Sequence, residues 1–381
     1  MKHIFDHTRE TLKATLKEVG MPAFRAEQIW QWVYKKGVIS PAEMTNLSKT
    51  DGEKLLTVVD FSMPEIVAEQ KATDGVIKWL LKLHDGQEVE MVFIPQGKRG
   101  TLCVSSQVGC TLTCRFCHTG TQALARNLTA ADIITQVWVA KAQMADFTPD
   151  DTARRLTNIV FMGMGEPLYN KDNVFAACHT LMDEKGFGMG GRKITISTSG
   201  VVPHIPAIGE ELGTNLAISL HSADNETRTK IMPLNKKYPL EELKKAVDNF
   251  KLREHRRITW EYVMLKDVND SKEDADKLIE FIKPYPSLVN LIPFNPWPGS
   301  PFECSDDETM RAFRNRISAA GIDVTLRQTR GEDILAACGQ LRSETSGRNT
   351  ISLQYPTVVA VYGNEKQKER TSGTPVKVEI E

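Results

Sequence analysis

The 381-residue chain has no run of about 18 apolar residues, which excludes a membrane-spanning helix. Residues 1–7, MKHIFDH, carry no apolar core ahead of a small-residue cleavage site. A secretory signal is therefore not expected, and the protein is placed in the cytoplasm. Cysteine is sparse and odd in number, seven in all, which excludes a framework of paired disulfides. Charge of one sign is missing too, since 48 basic and 49 acidic residues leave a formal net charge of −1. The molecule as a whole has no electrostatic pull toward nucleic acid, so RNA binding would need a local basic face. The sequence also lacks internal repeats and low-complexity blocks.

What is present is an ordinary globular composition, 41% hydrophobic and 25% charged, with length for about two domains. Residues 5–19, 25–36 and 41–57 carry apolar residues at helical spacing and predict three helices. Residues 75–84 and 88–94, apolar-rich and β-prone, flank Asp85-Gly86 and predict a hairpin bridging two domains. From residue 101, strand-like runs alternate with helical stretches. The strands are expected at 102–108, 158–162, 193–198, 215–220, 257–264, 289–293 and 323–327, with Cys338 on a helix after the last. Repeated β-then-α units imply parallel strands with right-handed crossovers, hence an α/β fold with a complete or partial (β/α) barrel of TIM type. The expected units are a helical accessory domain (1–70), a β-hairpin extension (71–100), a barrel (101–341) and an unassigned tail (342–381). Two β-prone patches, 350–355 and 357–362, lie in that tail.

In such a barrel the reactive groups gather where the strands end. Polar and glycine-rich residues stand at those positions: Gly163 to Pro167, Ser197 to Gly200, Ser219-Leu220-His221-Ser222, and Asn295 to Gly299. The first strand runs into Cys110, Cys114 and Cys117, three thiols spaced x3 then x2. A structural zinc site would need a fourth ligand. His118 could serve, though it adjoins Cys117 and a shared centre would be strained. Three thiolates suit a four-iron cluster with one iron left open. The spacing resembles that of the radical S-adenosylmethionine (SAM) enzymes, in which the methionine end of SAM binds the open iron. Gly165 and Glu166 then suit the methionine ammonium, and Ser197, Ser219 and Asn295 suit ribose or carboxylate. A zinc site or a purely structural cluster stays as the alternative. Cys103 and Cys338 flank the same rim as candidate nucleophiles, whereas Cys178 and Cys304 read as small buried hydrophobes.

Five segments taken together resemble the RlmN family of dual-specificity RNA methyltransferases: TLCVSSQVGC (101–110), FMGMGEP (161–167), ISTSG (196–200), AISLH (217–221) and AACGQ (336–340). The resemblance spans about residues 5–341. It implies a radical SAM barrel with a [4Fe-4S] cluster on Cys110, Cys114 and Cys117. SAM would be held by Gly165, Glu166, Ser197, Ser219, Leu220, His221 and Asn295. It further implies methylation of adenine C2 in 23S ribosomal RNA, and in tRNA, using two SAM per turnover. Cys338 would carry the methyl as S-methylcysteine, and Cys103 would release the product through a transient disulfide. Glu90, in EVEMVFIP (88–95), matches the family's proton acceptor. An electron donor such as flavodoxin, an RNA-binding role for the N-terminal helices and a monomeric state belong to the same implication. A related adenine-C8 enzyme that confers antibiotic resistance is the near alternative, and Pro167 after Glu166 favours C2. A non-catalytic RNA-binding sensor is the distant one. Arg253, Arg256 and Arg257, with Arg311, Arg314 and Arg316, are candidate phosphate contacts.

Overall fold

A computed structural model of the protein describes residues 1–148 and 150–341. The β-prone patches at 350–355 and 357–362 lie outside the described residues. The chain opens with β1 (Lys2–His3), paired in parallel with β2 (Val59–Asp60), and a 3-10 turn at Ile4–Asp6. Helix α1 (Arg9–Glu18) starts later than its apolar spacing predicts because the Thr8 side chain caps the Thr11 amide. Helix α2 (Phe24–Tyr34) buries Ala26, Ile29, Trp30, Val33 and Tyr34 along one face. The predicted 41–57 helix is shorter. Pro41–Glu43 forms a 3-10 turn, and α3 (Lys49–Leu56) begins only after Ser48 caps Asp51.

The main sheet has ten strands in sequence order. It begins with the antiparallel β3 (Glu65–Lys71), β4 (Ile77–Lys82) and β5 (Glu88–Gln96). β6 (Arg99–Cys103) pairs antiparallel with β5 and parallel with the strand beyond it. The expected 102–108 strand is split: β6 stops at Cys103, and β7 (Gln107–Val108) pairs instead with β8 (Arg126–Asn127). Ser105 causes the break. Its amide donates to Gln136 Oε1 at 2.8 Å and its hydroxyl to the Glu90 carbonyl at 2.6 Å, which pulls the chain off the sheet.

Then follow α4 (Ala130–Gln143), β9 (Asn158–Phe161), α5 (Lys171–Met182), β10 (Ile194–Thr198) and α6 (Ile205–Ala207), the last continued by a π-turn. β11 (Asn215–Ser219) is followed by α7 (Asn225–Ile231), a helix the sequence reading lacked, and by α8 (Leu240–Asp248). β12 (Ile258–Met264), α9 (Lys272–Ile282), β13 (Ser287–Pro293), α10 (Asp307–Ala319) and β14 (Asp323–Leu326) complete the alternation. β6 and β9–β14 are parallel in one open sheet, so the barrel is partial, with β14 and β3 as its edges. The hairpin strands β4 and β5 thus extend the barrel sheet.

One hydrophobic cluster runs from Phe5, Trp30 and Tyr34 into Ile133, Val137 and Leu181 of the barrel helices. The N-terminal helices dock on α4 and α5 through it. Trp138 Nε1 donates to the Val33 carbonyl at 3.0 Å, and Arg9 pairs with Asp183 at 3.0 Å.

Candidate active site

The carboxyl ends of the parallel strands open onto one cleft with about 1000 Å³ of empty space, partly open to solvent. Cys110, Cys114 and Cys117 line it together with Gly165, Glu166, Ser197, Ser219, His221 and Cys338. Burial pushes all three clustered thiols up, Cys114 to about 12, and repulsion from neighbouring thiolates adds to this at Cys110 and Cys114. Such thiols yield their protons to a strong positive centre, which iron supplies. Among the described residues, no three His, Cys, Asp or Glu side chains converge on a single ion. The thiols share one wall without sharing one point. That suits a cluster, in which each sulfur takes its own iron. The His118 ring is stacked on Trp297, centroids 4.9 Å apart, and is not part of the cleft lining.

Glu166 is buried, and its two carboxylate oxygens accept from the Leu168 and Ser199 amides at 3.0 and 2.8 Å. Burial nevertheless raises its pKa. Gly165 adopts φ +98°, and a Cβ there would stand 2.5 Å from Gln107 Cβ; at Gly163 it would stand 2.7 Å from the Val104 carbonyl. These glycines let the loop press against the protein's own β6–β7 turn.

His221 sits at φ +57° and is buried. Its Nδ1 accepts from the Val263 amide at 2.9 Å, so the neutral ring carries its proton on Nε2. Burial first, then Arg228, lowers it to about 3. Two expected SAM contacts stand apart from the cleft lining. The Leu220 side chain is wholly buried, and its carbonyl accepts from Arg228 Nε at 3.1 Å. Asn295 donates to the Cys338 carbonyl at 3.1 Å and lines a smaller adjoining hollow.

Cys338 lies in a turn, not on a helix. Gly331, Leu335 and Gly339 all have positive φ, at 66°, 50° and 83°, which no right-handed helix tolerates. The loop is strapped down from three sides. The His118 amide donates to the Gly339 carbonyl at 2.7 Å, Thr119 Oγ1 to the Leu341 carbonyl at 2.6 Å, and Lys78 Nζ to the Leu335 carbonyl at 3.3 Å. Cys338 is exposed within the cleft, yet the protein packed around it raises its thiol, with Arg327 pulling down and Glu261 pushing up. Cys103 is buried at the end of β6 and pushed up to about 12, with the Cys338 thiolate adding repulsion and Arg327 opposing. It shares an apolar cluster with Ala336 and Leu341 of the Cys338 loop, so the two cysteines are neighbours in space.

Glu90 lies on β5 with its side chain in a buried ion pair to Lys78 at 3.0 Å. Cross-strand register places Lys78 beside Val92 and Val92 beside Cys103. Lys78, Glu90 and Cys103 therefore share the face that the Cys338 loop covers. Four residues here escaped the sequence reading: Lys78, Arg228, Glu261 and Arg327. Only Glu261 carried a signal, a lone carboxylate inside the apolar strand ITWEYVM. It is buried, accepts from Asn290 at 2.7 Å and faces the cleft.

The proposed phosphate contacts do not gather at this mouth. Arg256 donates to the Gly213 carbonyl at 2.7 Å, and Arg257 pairs with Asp323, at the amino-terminal ends of β11, β12 and β14. Arg311 and Arg316 pair with Asp307 and Asp276, and Arg314 bonds Asn315, on the outward side of α10.

Residues 104–282 match the model of the radical SAM superfamily, and residues 2–60 that of the ribosomal RNA large subunit methyltransferase N-terminal domain. A dual-specificity RNA methyltransferase RlmN from Parvibaculum lavamentivorans is 52% identical over 358 residues, 90% of each chain. The chain belongs to the RlmN family. A second RlmN, from Rhodospirillum rubrum, is 52% identical across 89% of this chain and 79% of its own. A radical SAM methyltransferase structure from Sphaerobacter thermophilus superposes with a TM-score of 0.83 at 39% identity, covering 90% of this chain and 99% of that one. An RlmN-family enzyme uses a four-iron cluster and SAM, and the three clustered thiols beside the Glu166 cradle fit both.

Proposed function

We propose that this enzyme methylates C2 of adenosine in 23S ribosomal RNA and in tRNA, with Cys338 as the methyl carrier. The observation that carries the reading is one cleft holding three clustered thiols, Glu166 and the exposed Cys338, with Cys103 directly behind. C2 of adenine is electron-poor and resists an electrophilic methyl group, so the carbon has to arrive as a radical. When bound, the cluster supplies the electron that splits SAM into methionine and a 5′-deoxyadenosyl radical.

Cys338 acts first. Its thiol loses a proton, the sulfur bonds the methyl of one SAM, and S-adenosylhomocysteine departs. In the second half, Cys338 presents that methyl for loss of one hydrogen atom, leaving a methylene radical on its sulfur. The carbon bonds adenine C2, Glu90 accepts the C2 proton, and the adduct gives up one electron, for which the oxidised cluster that Cys110, Cys114 and Cys117 would hold could serve as acceptor. Lys78, paired with Glu90 at 3.0 Å, holds the carboxylate aimed for that step. The Cys103 thiolate then bonds the Cys338 sulfur and breaks its bond to carbon. The carbon takes up a proton to become methyl, and the disulfide awaits reduction by an external dithiol. Glu166 holds the methionine ammonium, while Ser197, Ser219 and the Nε2–H of His221 face the rest of SAM. The target base is extruded into the cleft. An electron donor such as flavodoxin and a monomeric enzyme complete the reading.

Anaerobic reconstitution with iron and sulfide, followed by nucleoside mass spectrometry of treated ribosomal RNA and tRNA, tests it. The expected product is 2-methyladenosine in both; 8-methyladenosine alone, or no methylated adenosine, would overturn it.

A further inference from the structure

Arg228 is the one guanidinium among the largest fully buried side chains, 1% exposed on the short helix α7. Its hydrogen bonds all go to uncharged oxygens. Nε donates to the Leu220 carbonyl at 3.1 Å, Nη1 to Asn235 Oδ1 at 2.7 Å, and Nη2 to the Ser199 and Ser219 carbonyls at 2.7 and 3.4 Å. Among the described residues it forms no ion pair with a carboxylate. A buried cation without a counter-charge is costly, so a protein that keeps one has an anion close by. The surroundings identify that anion. Ser199 and Ser219 line the cleft beside the three clustered cysteines. Three residues on from Arg228, the Ile231 carbonyl accepts from the Arg115 amide at 2.9 Å, directly next to Cys114. The Ser199 side chain is a hydrogen-bond partner of the Cys114 thiol, and the guanidinium favours its ionised form.

We propose that Arg228 is the fixed counter-charge of the iron–sulfur cluster and sets its reduction potential. Each cluster thiolate brings a negative charge into a buried site, and one-electron reduction adds another. A permanent cation beside Cys114 favours the more negative state, so it raises the potential and eases electron entry. The backbone-directed hydrogen bonds hold the charge in place without neutralising it. Arginine suits the position because its charge persists on burial, which lowers its pKa only to about 10.

The test is an anaerobic redox titration of the reconstituted enzyme without RNA, followed by the electron paramagnetic resonance of the reduced cluster. For Arg228→Met with wild-type iron content, the reduced-to-oxidised ratio at a fixed potential should fall at least tenfold, a shift of about 59 mV for one electron. Arg228→Lys keeps the charge but loses most of the fork, and its potential should lie close to wild type. Equal lowering in both variants would show that hydrogen bonding of the loops, not charge, is responsible, and would overturn the proposal. So would an unchanged potential in Arg228→Met. If that variant does not fold, Arg228→Gln, polar and neutral, is titrated against Arg228→Lys with the same two outcomes.

Discussion

The Cys338 thiol feels opposed influences: protein packed around it and the Glu261 carboxylate disfavour its thiolate, while the Arg327 guanidinium favours it. Methyl uptake needs the thiolate. The rate of S-methylcysteine formation should therefore climb with pH and still be rising at pH 9.0, the ordinary thiol value. Arg327→Met should push that rising limb to higher pH. Peptide mass spectrometry of Cys338 in single-turnover mixtures reads both, and a flat profile between about pH 7 and 9 would contradict the assignment. Lys78 makes a second case. Without it, the Glu90 carboxylate loses the ammonium held at 3.0 Å that aims it at the C2 proton. Lys78→Met should then stall after C–C bond formation, leaving RNA covalently attached to Cys338 and visible on a denaturing gel. Lys78→Arg should restore turnover. Normal release by Lys78→Met would sink this role.

Elements decide which of these groups meet. The cysteine spacing, the loop glycines and Glu166 were legible because they lie close in sequence and share one loop chemistry. The parallel strands were legible because buried runs such as Ile194–Thr198 stand out between helical periods. β3 was not, since EIVAEQK is almost wholly exposed and has no apolar alternation to betray an edge strand. Missing β3–β5 as part of the sheet hid the meeting of Lys78 and Glu90 with the Cys338 loop, a contact across more than two hundred residues. Arg228 was hidden for a different reason: NETRTKI is polar, and nothing local shows that its arginine turns inward. The loop holding Glu166 gives a prediction at this scale. Gly165→Ala adds a Cβ 2.5 Å from Gln107 Cβ at φ +98°, so the loop must shift. We expect a stability loss of roughly 1–3 kcal/mol and a large fall in SAM affinity, read by thermal melting and equilibrium dialysis. An unaltered SAM affinity would show that the loop tolerates the side chain and that its fit against Gln107 is not what shapes the cradle.

Across the whole molecule, stability should depend on pH through two buried histidines. His7 is lowered to about 4 and His221 to about 3, chiefly by burial, and both are neutral in the fold. The unfolded chain binds a proton at each near pH 6.5, so it holds more protons than the folded state below that value. Stability is then fully present above pH 6.5 and falls on acidification, by up to about 1.4 kcal/mol per pH unit for each histidine. Urea titrations from pH 7 downward should show the loss beginning near the ordinary histidine range, and His7→Gln should flatten the slope. The N-terminal helices share the barrel's core, so this acid response should appear as one transition rather than two. Cys338 is exposed at the carboxyl-end face, whereas Arg256 and Arg257 brace the opposite, amino-end face.

The central claim is that the new carbon passes through Cys338 as a methylene radical. SAM bearing a CD3 methyl group tests it in one reaction. Cys338 first takes up CD3, one deuterium is lost to 5′-deoxyadenosine, and the remaining CD2 gains a proton when Cys103 frees the product. The prediction is 2-methyladenosine carrying CHD2 together with singly deuterated 5′-deoxyadenosine. An intact CD3 on the base would show direct methyl transfer and contradict the account.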